Sequence, residues 1–133
     1  MIKLIVGRKG SGKTKQLIDQ MNAVVKKEHG SVVCVEKGLK LTFDIPHSIR
    51  LVDVEHYAVE GYEAFYGFIA GILAGNYDIT DVFIDSILKI GNADLEALGC
   101  FLDKIEKLDT EANLTLTVSA DASELPESVK KYM

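Results

Sequence analysis

The chain has 133 residues, of which 47% are apolar and 26% are charged, and its net charge is −5 at pH 7. This length and composition are typical of a single globular domain over residues 1–133, and they exclude a disordered, collagen-like or disulfide-dense chain. The longest apolar run covers residues 64–74, which is about half of a bilayer span, so we expect no membrane segment. Cys34 and Cys100 lie in apolar stretches, which predicts reduced thiols and a cytoplasmic location.

The charge is divided unevenly along the chain. Residues 1–30 contain seven basic and two acidic residues, for a net charge of +5, so residues 31–133 carry −10. A general nucleic-acid-binding protein needs a broad basic face, and most of this chain is acidic. We therefore expect no nucleic-acid partner and predict that the basic end binds a small anion.

The apolar pattern predicts strands that alternate with helices. Short apolar or β-branched runs typical of buried strands occur at residues 2–6, 32–35, 49–54, 81–85 and 114–118, with a short edge strand predicted at 41–45. Apolar residues recur at helical spacing at residues 17–25, before Lys26 and Lys27 in the last turn, and form one stripe at residues 95–108. Residues 60–74, which are rich in aromatics and glycine, are predicted as the second helix.

Capping signals complete this assignment. Asn92 is expected to cap the third helix, and Asp121 with Glu124 has the spacing of a capping box before a short final helix. Alternating strands and helices of this kind predict a three-layer α/β fold, in which a parallel sheet of about five strands has helices on both faces.

The segment between the first strand and the first helix is a complete phosphate-loop signature, Gly7-x4-Gly12-Lys13-Thr14. Glycines at this spacing let successive backbone N–H groups turn toward one anion, and the helix presents its positive end to the same anion. In this motif the lysine reaches the β- and γ-phosphates and the hydroxyl is a ligand of Mg²⁺. The predicted nucleotide-binding residues are Gly7, Arg8, Lys9, Gly10, Ser11, Gly12, Lys13, Thr14 and Lys15.

The strand at residues 81–85 ends in Asp85 after an apolar run. An acid at the tip of a strand beside a phosphate loop holds Mg²⁺ through its bound water. We therefore predict that Thr14 and Asp85 form the metal site. The alternative is that Asp85 is an ordinary turn or cap residue.

With these two motifs the sequence resembles the P-loop NTPase superfamily, and within it the RecA-like and related ATPases. The resemblance follows the order of elements along the whole chain, but it is specific only at residues 7–14 and, less strongly, at Asp85. It implies that residues 114–118 lie between the loop strand and the acid strand. It also implies that Ser119, at the tip of that strand, senses the γ-phosphate, although an ordinary strand-end hydroxyl is the alternative.

The same resemblance bears on hydrolysis. Many relatives carry a glutamate directly after the metal-binding acid, and here that position is Ser86. RecA-like members place the glutamate at the end of the strand after the first helix, which implies Glu36 as the general base beside a catalytic Lys13. A charged turn at residues 36–38 is the alternative. The chain has only two arginines, Arg8 and Arg50, so an arginine finger from a second subunit has no obvious source.

These features predict an ATP-binding protein with slow Mg²⁺-dependent hydrolysis. The alternative is a nucleotide-dependent binding or assembly module with little turnover. A small nucleoside kinase is less favoured, because two arginines cannot build an arginine-rich lid over the phosphates. A GTPase is also disfavoured, because the chain has no Asn-Lys-x-Asp guanine motif.

Gly67, Gly71 and Gly75 recur every four residues in the second predicted helix. Glycine within a helix costs about 1 kcal/mol relative to alanine, so a close approach of another backbone is the usual reason for it. Tight packing on the sheet is the favoured interpretation. The alternative is an interface with a second copy of the chain or with a protein partner.

Overall fold

The computed structural model of the chain describes residues 1–27, 30–38, 40–41, 44–108 and 110–133. Within these residues, strands and helices follow one another as β1 (Ile2–Gly7), α1 (Lys13–Val25), β2 (Ser31–Glu36), β3 (Arg50–Asp53), α2 (Tyr62–Gly75), β4 (Ile79–Ile84), α3 (Ile87–Ile90), α4 (Leu95–Glu106), β5 (Asn113–Ser119) and α5 (Glu127–Lys130). Short 3-10 turns follow β3 at Val54–Tyr57 and β5 at Ala122–Glu124. All of the predicted core strands are present, and their ends move by one or two residues.

The strands form one parallel sheet in the order β1-β5-β4-β2-β3. The last strand of the chain, β5, pairs with β1 on one side and with β4 on the other, so that Gly7 lies opposite Ser119 and Ile84 lies opposite Leu116. This order confirms the predicted insertion of the final strand between the loop strand and the acid strand. Because the strands are parallel, their carboxyl ends meet at one edge of the sheet.

Helices cover both faces of the sheet, as predicted. Alternate residues of one strand belong to different cores: Val33 and Val35 face one side of β2, and Val32 and Cys34 face the other. Helix α1 packs on the side of Cys34, whereas α2, α4 and α5 pack on the opposite side. The chain therefore has the expected three-layer α/β architecture.

The connection from β4 to α4 differs from its prediction. Asp94, and not Asn92, is the N-cap of α4, because its Oδ1 atom accepts the N–H groups of Glu96 and Ala97 at 3.0 and 3.2 Å. Asn92 acts one step earlier, where its Oδ1 atom accepts the N–H of Asp94 at 2.9 Å. The short helix α3, which the apolar pattern did not predict, precedes this turn.

Two further local predictions have different outcomes. The capping box of Asp121 and Glu124 is confirmed by hydrogen bonds in both directions. The edge strand expected at residues 41–45 is not seen at Leu41, Asp44 and Ile45, which lie in bends and a turn, and residues 42 and 43 lie outside the described residues.

In the part of the chain that the structure describes, no helix is both long and apolar enough to cross a membrane.

The glycines of α2 face away from the core. A Cβ atom at Gly67, Gly71 or Gly75 would have no described heavy atom within 4 Å, and all three positions are exposed. The helix packs instead through buried Phe65, whose ring stacks on that of Phe101 in α4 at a centroid distance of 5.6 Å. The favoured interpretation, tight packing of these glycines on the sheet, is therefore wrong. An interface with another chain stays a prediction.

Alanine at Gly67 and Gly71 should stabilise the protein. Each change adds helix propensity in open space, so the double variant should gain about 0.5–1 kcal/mol of unfolding free energy per site, measured by urea denaturation. Gly99→Ala in α4 is the matched control and should destabilise, because a Cβ at Gly99 would collide with Ser128. A loss of stability in the double variant would contradict the open placement of the α2 glycines.

Candidate functional site

The loop between β1 and α1 has a backbone that glycine adopts most readily. Gly10 and Gly12 have φ values of +84° and +87°, in the left-handed region that other residues rarely enter. Left-handed residues set among right-handed ones turn successive N–H groups toward one side and form a concave anion site. Gly7 lies so close to Ser11 that a Cβ at Gly7 would collide with the serine side chain. The loop is therefore tightly turned, and it leads directly into α1.

Two basic side chains of the loop, those of Lys13 and Arg8, have different positions. Lys13 is buried, and its ammonium group donates to the carbonyl oxygen of Arg8 at 2.8 Å. The Arg8 guanidinium instead leaves the loop, and its Nε and Nη2 atoms donate to Oδ2 of Asp121 at 2.9 and 2.6 Å. Hydrogen bonds from Ser123, together with the bond and charge of Arg8, lower the pKa of Asp121 to about 2. Arg8 thus joins the loop to the segment that follows β5.

Asp85 directly follows β4 and is the residue at which three elements meet. Its Oδ1 atom accepts the hydroxyl of Thr117 in β5 at 2.8 Å and the hydroxyl of Thr14 in α1 at 3.3 Å. The Thr117 hydroxyl also accepts the N–H of Ser86 at 2.7 Å. Ser86 has a left-handed backbone, with φ of 61°, which costs about 1–2 kcal/mol for a residue with a Cβ. The hydrogen bond from Ser86 to Thr117 helps to hold this turn.

These groups line a cleft of about 500 Å³ at the carboxyl edge of the sheet. Its described lining contains four lysines and one carboxylate, an excess of positive charge that suits a polyanion. The lining residues are Lys9, Gly10, Gly12, Lys13, Thr14 and Lys15 from the loop and α1, Asp85, Ser86 and Lys89 after β4, and Thr117 and Ser119 from β5.

A larger cavity of about 780 Å³ lies at the opposite edge of the sheet, beside the beginnings of β4 and β5. Its lining includes the acids Asp81 and Glu111, and no lysine or arginine is found among its described residues. These carboxylates would repel a phosphate group. Of these two cavities, the smaller cleft is therefore the one whose charge suits a phosphate group.

Glu36, the predicted general base, ends β2 next to β4. Its buried carboxylate accepts the N–H of Lys40 at 2.9 Å through Oε1 and the N–H of Leu41 at 3.2 Å through Oε2. Burial raises the pKa of Glu36, and this effect outweighs the two hydrogen bonds, which lower it. The charges of Asp85 and Asp53 raise the pKa further. Glu36 is not among the described residues that line the cleft, and its role as a base stays a prediction.

The cleft brings together most of the residues predicted for the site. Ser119 lines it from the tip of β5, opposite Gly7 in the sheet register, and its role as a γ-phosphate sensor stays a prediction. Within the described chain, Gly7, Arg8 and Ser11 lie outside the lining. Gly7 and Ser11 pack against each other, and Arg8 pairs with Asp121.

Sequence reasoning missed three residues of the site, Thr117, Lys89 and Ser86. A signal for the first was present, because Thr115 and Thr117 are polar residues that alternate with leucine in an otherwise apolar strand, and both are buried. Lys89 gave no comparable signal. It lines the cleft because α3 turns the chain back after Asp85, and that helix is too short to show periodicity.

The oxygen groups around Asp85 fit a Mg²⁺ ion that binds together with phosphate. A hydroxyl at Thr14 and a carboxylate at Asp85 are hard oxygen ligands, and Mg²⁺ bound to substrate phosphates takes one or two protein carboxylates. In the described ranges, no group of three His, Cys, Asp or Glu residues could hold a metal ion. The donor set therefore suits a phosphate-bound ion rather than a metal site built by the protein alone.

Comparison with known proteins bears on the fold. No protein-family model and no curated protein matches the sequence. Among solved structures, the chain is similar to the flagellar accessory protein FlaH from Methanocaldococcus jannaschii, with a TM-score of 0.61 and 18% identity. The match covers 98% of this chain and 65% of that chain, so this chain spans less than two thirds of the length of FlaH. The likeness shows a RecA-like α/β fold, and it bears on the fold alone.

Thr117→Val should destabilise the protein and disorder the site. The change keeps the shape of a buried side chain but leaves the N–H of Ser86 without its acceptor and removes the shorter of the two hydroxyl hydrogen bonds to Oδ1 of Asp85. We expect a loss of about 1–3 kcal/mol of unfolding free energy, measured by urea denaturation. Thr115→Val, at a buried position two residues earlier on the same strand, is the matched control. Equal stability losses in both variants would contradict the special role of Thr117.

Proposed function

We propose that this protein binds ATP together with Mg²⁺ in the cleft at the carboxyl edge of the sheet. The observation that carries this proposal is that Thr14 and Asp85, 71 residues apart in the chain, have side-chain oxygens 3.3 Å apart. Lys13 lies in the same cleft. A loop lysine, a loop hydroxyl and a strand-end acid that converge in this way are the parts with which P-loop NTPases hold a metal-bound triphosphate.

The residues of the cleft have separate roles in this proposal. The loop N–H groups and the positive end of α1 hold phosphate oxygens. The Lys13 ammonium exchanges its hydrogen bond to the Arg8 carbonyl for bonds to phosphate oxygens. Thr14 and Asp85 supply the metal ligands, and Thr117 orients Asp85 by donating to Oδ1. When bound, Mg²⁺ neutralises charge on the β- and γ-phosphates.

Hydrolysis in this site should be slow. Fast P-loop NTPases orient the attacking water with a dedicated side chain and stabilise the transferred phosphoryl group with an arginine finger. In this chain Ser86 follows the metal-binding acid, and Arg8 is paired with Asp121. Glu36 is the proposed base, and in that role its carboxylate takes a proton from the attacking water directly or through a second water molecule.

A nucleotide-dependent assembly module with little turnover is the second candidate function. The two backbone hydrogen bonds of Glu36 favour it, because they engage both carboxylate oxygens. In such a module, ATP binding alone changes the affinity for a partner, and the exposed face of α2 at Gly67 and Gly71 is the proposed contact for a second copy or another protein. FlaH is described as a flagellar accessory protein, and an accessory role in a larger assembly would suit this candidate.

Mg·ATP should stabilise the wild-type protein against heat. At a ligand concentration about 100 times the Kd, binding to the folded state adds about 2.7 kcal/mol, or several degrees in Tm. Lys13→Ala should remove most of this shift and leave the protein folded without nucleotide. Lys26→Ala, at the exposed C-cap of α1, should keep the shift. The measurement is a thermal-shift panel with ATP, ADP, GTP and adenosine, and no wild-type shift with any triphosphate and Mg²⁺ would contradict the proposed function.

Glu36→Gln should lower ATP hydrolysis by about 10²-fold or more, the scale expected for losing a general base, with ATP binding unchanged or tighter. Phosphate release in single-turnover experiments measures the rate. Asp53→Asn is the matched control, because Asp53 accepts the N–H of Gly38 at 2.8 Å and holds the same loop from the neighbouring strand.

The two variants separate catalysis from loop structure. An equal loss of rate in Glu36→Gln and Asp53→Asn, or unchanged turnover in Glu36→Gln, would contradict the role of Glu36 as a base. Undetectable turnover in the wild-type protein, with ATP bound, would favour the assembly module.

A further inference from the structure

A short helix after Asp85 carries a lysine into the cleft. Helix α3 is fixed to the core by Ile87 and Ile90, which are 0% and 1% exposed. Lys89 lies between them on the exposed side of the helix and lines the cleft with Lys13 and Asp85. The N–H of Lys89 donates to the carbonyl oxygen of Ser86 at 3.0 Å. The position of Lys89 is therefore set by the same turn that positions the metal-binding acid.

Lys89 lies among other cations. Contact with Lys40, and then the charges of Lys40 and Lys9, lower the pKa of Lys89, while Asp85 raises it. The ammonium group of Lys37 also reaches this helix, where it donates to the carbonyl oxygen of Lys89 at 3.4 Å. Ammonium groups in contact, as those of Lys89 and Lys40 are, repel one another, and a polyanion placed between them replaces the repulsion with attraction.

The sheet order decides which part of a polyphosphate lies near Lys89. The loop and α1 follow β1, whereas α3 follows β4, and β5 separates these two strands. A phosphate chain whose inner groups rest on the loop N–H groups extends its terminal group toward Asp85 and α3. Neither arginine is among the described residues that line the cleft, since Arg8 pairs with Asp121 and Arg50 begins β3 at the opposite edge of the sheet.

We propose that Lys89 contacts the terminal phosphate of a bound triphosphate, and that this contact makes the site prefer a triphosphate over a diphosphate. The inference rests on the proposed function, since it names a further residue of the same site. An ammonium–phosphate hydrogen bond is charge-assisted and therefore stronger than a neutral one.

Calorimetric titration with Mg·ATP and Mg·ADP tests this contact. Lys89→Gln should weaken ATP binding by about 10-fold or more, the scale of one charge-assisted hydrogen bond, and should weaken ADP binding less than about twofold. Lys89→Arg keeps the charge and should keep most of the ATP preference. Lys26→Gln, at the far end of α1, should change neither affinity.

The outcomes separate this inference from the proposed function. If the wild-type protein binds ATP and Lys89→Gln loses ATP and ADP affinity equally, or loses neither, the role of Lys89 is overturned and the proposed function stands. If the wild-type protein binds neither nucleotide, the proposed function fails. In that case, titration with inorganic tripolyphosphate and pyrophosphate tests whether Lys89 contacts a terminal phosphate. An unaltered tripolyphosphate affinity in Lys89→Gln would overturn that contact as well.

Discussion

The carboxylate of Asp85 is the group on which the geometry of the site depends. It is buried, and hydroxyls from α1 and from β5 fix it in place, so one side chain holds three elements that are distant in sequence. Because β5 separates β1 from β4, the acid reaches the loop across an intervening strand. That strand must offer a small polar group at this level, since an apolar residue there would remove the shorter of the two hydroxyl hydrogen bonds to this buried charge. Thr117 meets this requirement.

A second buried carboxylate lies one strand away. Glu36 and Asp85 end adjacent strands, and their like charges disfavour ionisation, which adds to the effect of burial on the pKa of Glu36. Cys34 lies beneath both groups, and burial together with these two charges raises its pKa to about 12. The thiol is therefore protonated and a poor nucleophile at neutral pH.

Those parts of the site that depend on a local pattern could be predicted from the sequence. A left-handed turn that leads into a helix is encoded within a few residues around Lys13, and Asp85 follows an apolar strand. The order of the strands required the family resemblance, because periodicity does not tell which strands pair. The failures concern contacts between distant segments. A spacing of four residues puts Gly67 and Gly71 on one face of α2, but it does not indicate which face is buried. The hydrogen-bond donors to Glu36 depend on the path of the loop after β2.

The ion pair between Arg8 and Asp121 has a consequence for the end of the chain. Asp121 is the N-cap of the 3-10 turn that leads to α5, and beyond α5 the carbonyl oxygen of Tyr132 accepts the N–H of Leu4 in β1. The C-terminal segment therefore contacts the first strand at one end and the loop that follows this strand at the other. A rearrangement of the loop that moves the Arg8 guanidinium also changes the hydrogen bonds of Asp121, the N-cap of this turn. A change in the loop that breaks the pair between Arg8 and Asp121 would therefore also remove a contact of the C-terminal segment.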